Sequence, residues 1–228
     1  MKLNEIDFRP LLLSLKTGGV VTFLAFFLGI LLAYKVMNIQ GKKQVVLDSL
    51  LTLPMVLPPT VAGFILLLIF SLRRPFGIFL KESFNIQVVQ TWLGCVIASL
   101  VISLPLMYKN AKSAFEQVDK NVINAARTLG LSESKIFWRI LLPLAKPGLI
   151  SGAILTFARA MGEFGATMML AGNIAGKTKT LAMAISSEVA LGNYKLAGYW
   201  VLISVLLSAV ILIGAQLLLR RGEDYDSN

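Results

Sequence analysis

Long uncharged apolar runs limit what this chain can become. Thr17 to Tyr34 carries no charge between Lys16 and Lys35, Ser49 to Leu72 none between Asp48 and Arg73, and Ser83 to Tyr108 none between Glu82 and Lys109. Leu196 to Leu219 is a fourth run, and Pro147 to Gly176 a fifth that holds Arg159 and Glu163 within it. The hydrocarbon core of a bilayer is about 30 Å thick, so a helix needs about 20 apolar residues to cross it. The runs predict an all-α membrane protein with about five transmembrane helices. Composition points the same way: 56% of the 228 residues are apolar and 15% charged, where a soluble domain carries about 25% charge. The segment from Thr178 to Tyr194 is less apolar, carries Glu188, and reads as a short helix or re-entrant segment. The first run has the basic start of a secretory signal, but it is longer than a signal's apolar core and no small-residue cleavage site follows it.

The residue inventory excludes several kinds of chemistry. With no histidine, Ser-His-Asp and Cys-His nucleophiles are ruled out, as is the commonest ligand of zinc, copper and iron. A lone Cys95 cannot form an intramolecular disulfide and reads as a small buried apolar residue. No metal site and no catalytic residue is expected.

The formal charge of +10 could serve nucleic acid, anionic lipid or membrane topology, and its placement selects topology. Twelve basic residues fall in the turn from Lys35 to Lys43, the connection from Lys109 to Lys146 and the Arg220-Arg221 tail. Nine fall on the other side: Lys2, Arg9, Lys16, Arg73, Arg74, Lys81, Lys177, Lys179 and Lys195. Basic loops stay cytoplasmic, so the expected protein crosses the cell membrane several times with its N-terminus outside and its C-terminus in the cytoplasm. The whole chain, 1–228, reads as one transmembrane domain with a cytoplasmic loop at 110–146.

That loop is patterned. From Asp119, a reasonable N-cap, Val122, Ala126 and Leu129 recur at helical spacing, and Gly130 stands where a left-handed C-cap is expected. Ser132 can cap a second helix with Glu133 in its first turn, and Ile136, Phe137, Ile140 and Leu141 form an apolar stripe. A helix-turn-helix DNA reader has similar punctuation, but its second helix presents polar side chains to bases. Here the second helix turns apolar and runs through Pro143 into a membrane span, so no nucleic-acid partner is expected.

Asn124, Ala125, Ala126, Gly130 and the ending Ile140, Leu142, Pro143 resemble the Glu-Ala-Ala loop of ABC importer permeases, departing at Asn124, where that family usually carries Glu. The strings from Leu47 to Leu68 and from Phe157 to Ser186 look like the molybdate/sulfate permease family, and the molybdate permeases in particular. The resemblance implies a type I importer fold and a loop that couples to a cytoplasmic ABC ATPase dimer. It also implies a second copy of the chain, and an extracellular or periplasmic oxyanion-binding protein that delivers the substrate. ATP and Mg would be used by the partner ATPase, with no cofactor bound by this chain. Sulfate, thiosulfate or tungstate is the alternative substrate. A secondary transporter is a more distant one, since only Glu163 among the carboxylates lies deep in a span.

Ala171 to Thr178 reads A-G-N-I-A-G-K-T and satisfies a relaxed phosphate-loop pattern. The strict form fails at its first position, and the strand-loop-helix context it needs is missing. Two features inside the spans stand out as candidates for the pathway or bundle interior. Arg159 and Glu163, four apart, are expected on one helix face, as an orienting ion pair or, more sharply, as a group beside the pathway that offsets the charge of a dianion. Pro54, Pro58 and Pro59, with Thr60 and Gly63 beside them, predict a bent second span. Pro105 is expected to kink the third, and Gly162, Gly165 and Ala166 to permit close helix contact.

Overall fold

The computed structural model describes residues 7–226, with side chains described through residue 214. Lys2 and the side chains of Arg220 and Arg221, used above for topology, lie outside the described residues. The described chain is entirely helical, in the order α1 Arg9–Met37, α2 Lys42–Val56, α3 Pro59–Phe70, α4 Pro75–Phe84, α5 Trp92–Glu116, α6 Lys120–Thr128, α7 Glu133–Ile136, α8 Leu142–Met161, α9 Gly165–Ala171, α10 Leu181–Ala190 and α11 Tyr194–Asp226.

Four continuous helices are long and apolar enough to cross a membrane: Arg9–Met37, Trp92–Glu116, Glu133–Met161 and Tyr194–Gly214. The expected second span exists only as a broken pair, α2 and α3, whose axes turn by 108° at Leu57-Pro58. Proline explains the break, because Pro58 and Pro59 supply no N–H to carry the α2 ladder forward, while Pro59 suits the first turn of α3.

Two other expected spans are corrected. The run from Ser83 to Tyr108 does not make one helix: α4 ends at the left-handed Asn85, Gln90 also has positive φ, and α5 starts at Trp92 after an extended Thr91. The stretch from Pro147 to Gly176 is not a single helix either. Its helix begins at Glu133 and stops at Met161, and a second helix, α9, starts after Phe164. The early start is possible because Phe137–Leu141 winds as a π-helix, in which the Leu142 N–H donates to the Phe137 carbonyl five residues back. That wide turn precedes Pro143, whose ring and missing N–H would break an ordinary ladder. The helices flanking the 110–146 loop thus extend well into it.

α1, α5 and α8 form the main core, where Ala25, Ala33, Ala111, Ala114 and Ala145 bring the backbones close around Met107 and Tyr108. Between helices in lipid, small residues increase dispersion contact, since no hydrophobic force drives them together. A second cluster joins α3, α5 and α9 through Ala62, Leu66, Ala98, Ile102, Ala166 and Leu170. At one end of the bundle the Trp92 Nε1–H donates to Thr17 Oγ1 (2.9 Å) and the Leu181 N–H to Ser14 Oγ (2.8 Å). At the other end Phe137 packs its ring at a tilt against Tyr34 and edge-on to Phe115, and this end carries the loop.

Candidate functional site

At the loop end, Asp119 caps α6 as expected, its carboxylate accepting from the Asn121 N–H at 2.8 Å. Gly130 takes φ +77°, and the Gly130 and Leu131 N–H groups close the helix end onto the carbonyls of Arg127 and Ala126. Ser132 departs from expectation: its backbone is extended, as a cap requires, but its side chain makes no capping bond. Glu133 instead receives the Arg127 guanidinium on both carboxylate oxygens, at 2.7 and 3.1 Å. This fork fixes α6 against α7 across the turn, and its hydrogen bonds raise the Arg127 pKa further above its usual range. Asn124 joins the fork by accepting from Arg127 at 3.2 Å.

Of the remaining loop candidates, Ala126 is buried and Ala125 exposed. Val122 and Leu129 share the stripe with Ala126, yet Leu129 is 80% exposed. The stripe is thus covered only at its middle: Ala126 packs inward, while Val122 (43% exposed) and Leu129 at its ends have no cover among the described residues. Ile140 and Leu142 are half-buried and Pro143 is exposed where the second helix enters the bundle. Behind the turn lies a cavity of about 500 Å³, lined by Tyr34, Asn38, Glu116, Asn124, Arg127 and Phe137 among others.

The candidates within the spans meet at two helix breaks packed on each other. At the Pro58 break, Pro59 and Thr60 face Gly165 closely enough that a Cβ there would sit 3.1 to 3.2 Å from them. One turn along, Gly63 lies against Ala166 so closely that a Cβ would come within 2.6 Å of the Ala166 Cα. At the second break Glu163 is beyond the end of α8, not on its face, so the expectation of a shared helix face is corrected. Its Oε1 accepts from the Ala166 N–H (2.9 Å), capping α9, while its Oε2 pairs with Arg159 Nη1 (2.8 Å). A carboxylate in front of a helix N-terminus is favoured by the free N–H groups there. The Glu163 side chain is 1% exposed, and that of Arg159 is 36% exposed. The pair thus buries its negative end as a structural cap and keeps its positive end accessible. Pro54 sits inside α2, one turn before the break, and Pro58 is exposed at it.

The sequence reading missed a cluster that ties α2 to α5. Asp48 accepts hydrogen bonds from the Tyr108 hydroxyl and the Lys112 ammonium, and Lys112 also lies 3.9 Å from Glu116. Asp48 is the charge immediately before the second uncharged run, and Tyr108 and Lys112 are four apart on α5, so the signal was present but could not be paired without the tertiary fold. α2 has no buried residue, which makes this cluster its main polar attachment.

The phosphate-loop look-alike lies between α9 and α10. Its Thr178 hydroxyl is used by the loop itself, accepting from the Ile174 N–H and donating to the Gly172 carbonyl, both at 2.9 Å. That side chain is fully buried.

Comparison with known proteins places the chain in a family. Residues 25–223 match the family described as binding-protein-dependent transport system inner membrane component. The chain is 41% identical over 209 residues to the putative molybdenum transport system permease protein YvgM of Bacillus subtilis, covering 92% of each. It is 37% identical to the molybdenum transport system permease protein ModB of Escherichia coli K12, covering 96% of each. The sulfate transport system permease protein CysT of Salmonella typhimurium is 35% identical, with 85% of this chain and 72% of that protein covered. Among solved structures, the inward-facing MetNI methionine ABC transporter matches with TM-score 0.74 at 17% identity, over 93% of this chain and 94% of that one. A bacterial ABC importer of alginate matches with TM-score 0.77 at 15% identity, over 94% and 79%.

Proposed function

Because the chain belongs to the binding-protein-dependent transport system inner membrane components, we propose that it is the permease subunit of an ATP-driven molybdate importer. It is a multi-pass inner-membrane protein and not an enzyme; ATP is hydrolysed by a separate subunit and a binding protein delivers the substrate. The observation that carries molybdate over its alternatives is near full-length similarity to molybdenum permeases on both sides of the alignment, against partial coverage of the sulfate permease.

In this reading two copies of the chain form the pathway. α2, with no buried residue, and the exposed faces of α3 and α11 are free to meet a second copy or lipid. The N-terminus is outside and the C-terminus cytoplasmic. Asn124, Ala125, Ala126, Gly130, Ile140, Leu142 and Pro143 form the coupling element. The exposed Val122 and Leu129 of α6 dock in a groove of the ATPase, and the Arg127–Glu133 fork makes the hairpin stiff enough to pass on a rigid-body displacement. Thr60 and Arg159 stand beside the anion's route, Gly63 and Glu163 belong to the bundle interior behind it, and Pro54, Pro58 and Pro59 shape the bend. Arg159 offsets the cost of bringing a dianion out of water, and Glu163, neutralising part of that charge, keeps the anion from binding too tightly to leave.

The test is uptake of labelled molybdate into vesicles holding the complete complex with its binding protein. ATP-dependent uptake resistant to excess sulfate is expected. Equal uptake of sulfate through a sulfate-loaded binding protein would overturn the choice of substrate while leaving the permease role intact. An Arg159→Gln complex should lose uptake, and normal assembly with unchanged flux for a range of anions would remove Arg159 from the pathway.

A further inference from the structure

α4 has no role in the reading above. It follows α3 after a four-residue turn and is pinned there by Gly77, where a Cβ would lie 2.2 Å from the Ser71 carbonyl oxygen and 2.6 Å from that of Phe70. The helix, with no side chain at that position, packs directly against the end of the broken span. Its sides are chemically distinct. Gly77 and Leu80, three apart, face the protein, with Leu80 packed on the α3–α5–α9 cluster. Phe76 and Phe79, also three apart, form the neighbouring stripe, and both are about half exposed. Phe76 packs against Phe70 at the end of α3, ring centroids 5.5 Å apart, so the stripe continues the apolar surface of the span. Arg73 and Arg74 precede the helix and Lys81 lies on its remaining side, with Glu82 as the one acid in the segment. Among the described ion pairs none involves any of these four side chains.

We infer that α4 is an interfacial helix that sets Phe76 and Phe79 into the acyl-chain boundary and binds anionic phospholipid headgroups through Arg73, Arg74 and Lys81. Two observations select lipid as the occupant. The aromatic stripe is continuous with a membrane span, which fixes its depth at the span's end. The net positive charge beside it has no partner among the described residues, and anionic headgroups supply one at that depth. Phenylalanine rings on one side of an interfacial helix bury in the acyl-chain boundary while its basic groups stay at headgroup level, and each basic group near an anionic surface adds to the attraction.

The experiment uses the full-length chain carrying Phe79→Cys with a spin label, attached before assembly with its ATPase; Cys95 is fully buried and is left in place. The assembled complex is placed in vesicles of phosphatidylcholine alone or with added phosphatidylglycerol. Collisions with oxygen should exceed those with a water-soluble nickel chelate, and phosphatidylglycerol should shift the label further toward lipid. Arg73→Gln/Arg74→Gln/Lys81→Gln should lose that shift and keep the position seen in phosphatidylcholine. A label reached chiefly by the nickel chelate in both vesicles would show a water-facing helix and overturn the inference. A label reached by neither reagent would overturn it too, because a protein surface, either a second copy or a binding protein, would then cover the stripe. A second measurement leaves the helix unlabelled: phosphatidylglycerol retained by the detergent-extracted complex in native mass spectrometry should fall in the triple variant, and equal retention overturns the headgroup contact.

Discussion

Gly63→Ala tests the packing of the two helix breaks most directly. The added Cβ would meet Ala166 Cα at 2.6 Å, the Ala166 carbonyl oxygen at 2.8 Å and Met169 Cβ at 2.9 Å. The first two are backbone atoms, so no rotamer change relieves them and α3 must move off α9. Overpacking of this kind costs about 1–3 kcal/mol, and replacing glycine by alanine inside a helix returns about 1 kcal/mol. Because the clash is with backbone, the cost falls at the upper end of that range, about 2–3 kcal/mol, and the balance is a loss of about 1–2 kcal/mol, or a few degrees in the melting midpoint of the purified complex. Because Glu163 caps α9 through the Ala166 N–H, the displacement also disturbs the Arg159 pair, and uptake should fall more than stability does. Two controls sharpen the reading. Gly19→Ala, in α1 with nothing within 4 Å, should melt no lower than the parent. Adding Ala166→Gly to Gly63→Ala should bring no recovery, since the clashing Cα and oxygen remain. A Gly63→Ala complex that melts at or above the parent, or that Ala166→Gly rescues, would refute this account of the contact.

Removing either Asp48 or Lys112 leaves a charge stranded between α2 and α5. Breaking a buried pair costs about 3–5 kcal/mol, and with side-chain exposures of 29% and 18% solvent screening reduces this to about 1–3 kcal/mol. Thermal unfolding should show Asp48→Ala/Lys112→Met less destabilised than the sum of its singles, and strict additivity would argue against a direct pair. Gly130→Val places a β-branched residue at φ +77° with open space around it, so the cost is backbone strain of about 1–2 kcal/mol. Membrane insertion should be normal while ATP hydrolysis proceeds without matching uptake; full coupled transport would remove the turn from the coupling element. Thr178→Val deletes a buried hydroxyl that serves the Ile174 N–H and the Gly172 carbonyl, for about 1–3 kcal/mol by protease protection of the loop. Thr178→Ser should retain most of it.

Local pattern alone was enough for the membrane class, the position of the first and last spans, and the hairpin with Asp119 as its cap and Gly130 at its turn. Hydropathy is additive along the chain and caps act within a few residues, so both can be read without a partner surface. The third and fifth runs misled for the same reason: an uncharged run permits a helix but does not say where the helix breaks. The breaks came from the positive φ at Asn85 and Gln90, from a π-turn that carries the fifth helix past Pro143, and from Glu163 capping a new helix. Spacing brought Arg159 and Glu163 within reach of each other, but only the fold separated their duties, burying the carboxylate at a helix start and leaving the guanidinium accessible. The contact of Gly63 with Ala166, and the attachment of Asp48 to Tyr108 and Lys112, depend on helices far apart in sequence. Which side chains meet there is set by close packing in three dimensions, a quantity that no periodicity along one helix contains.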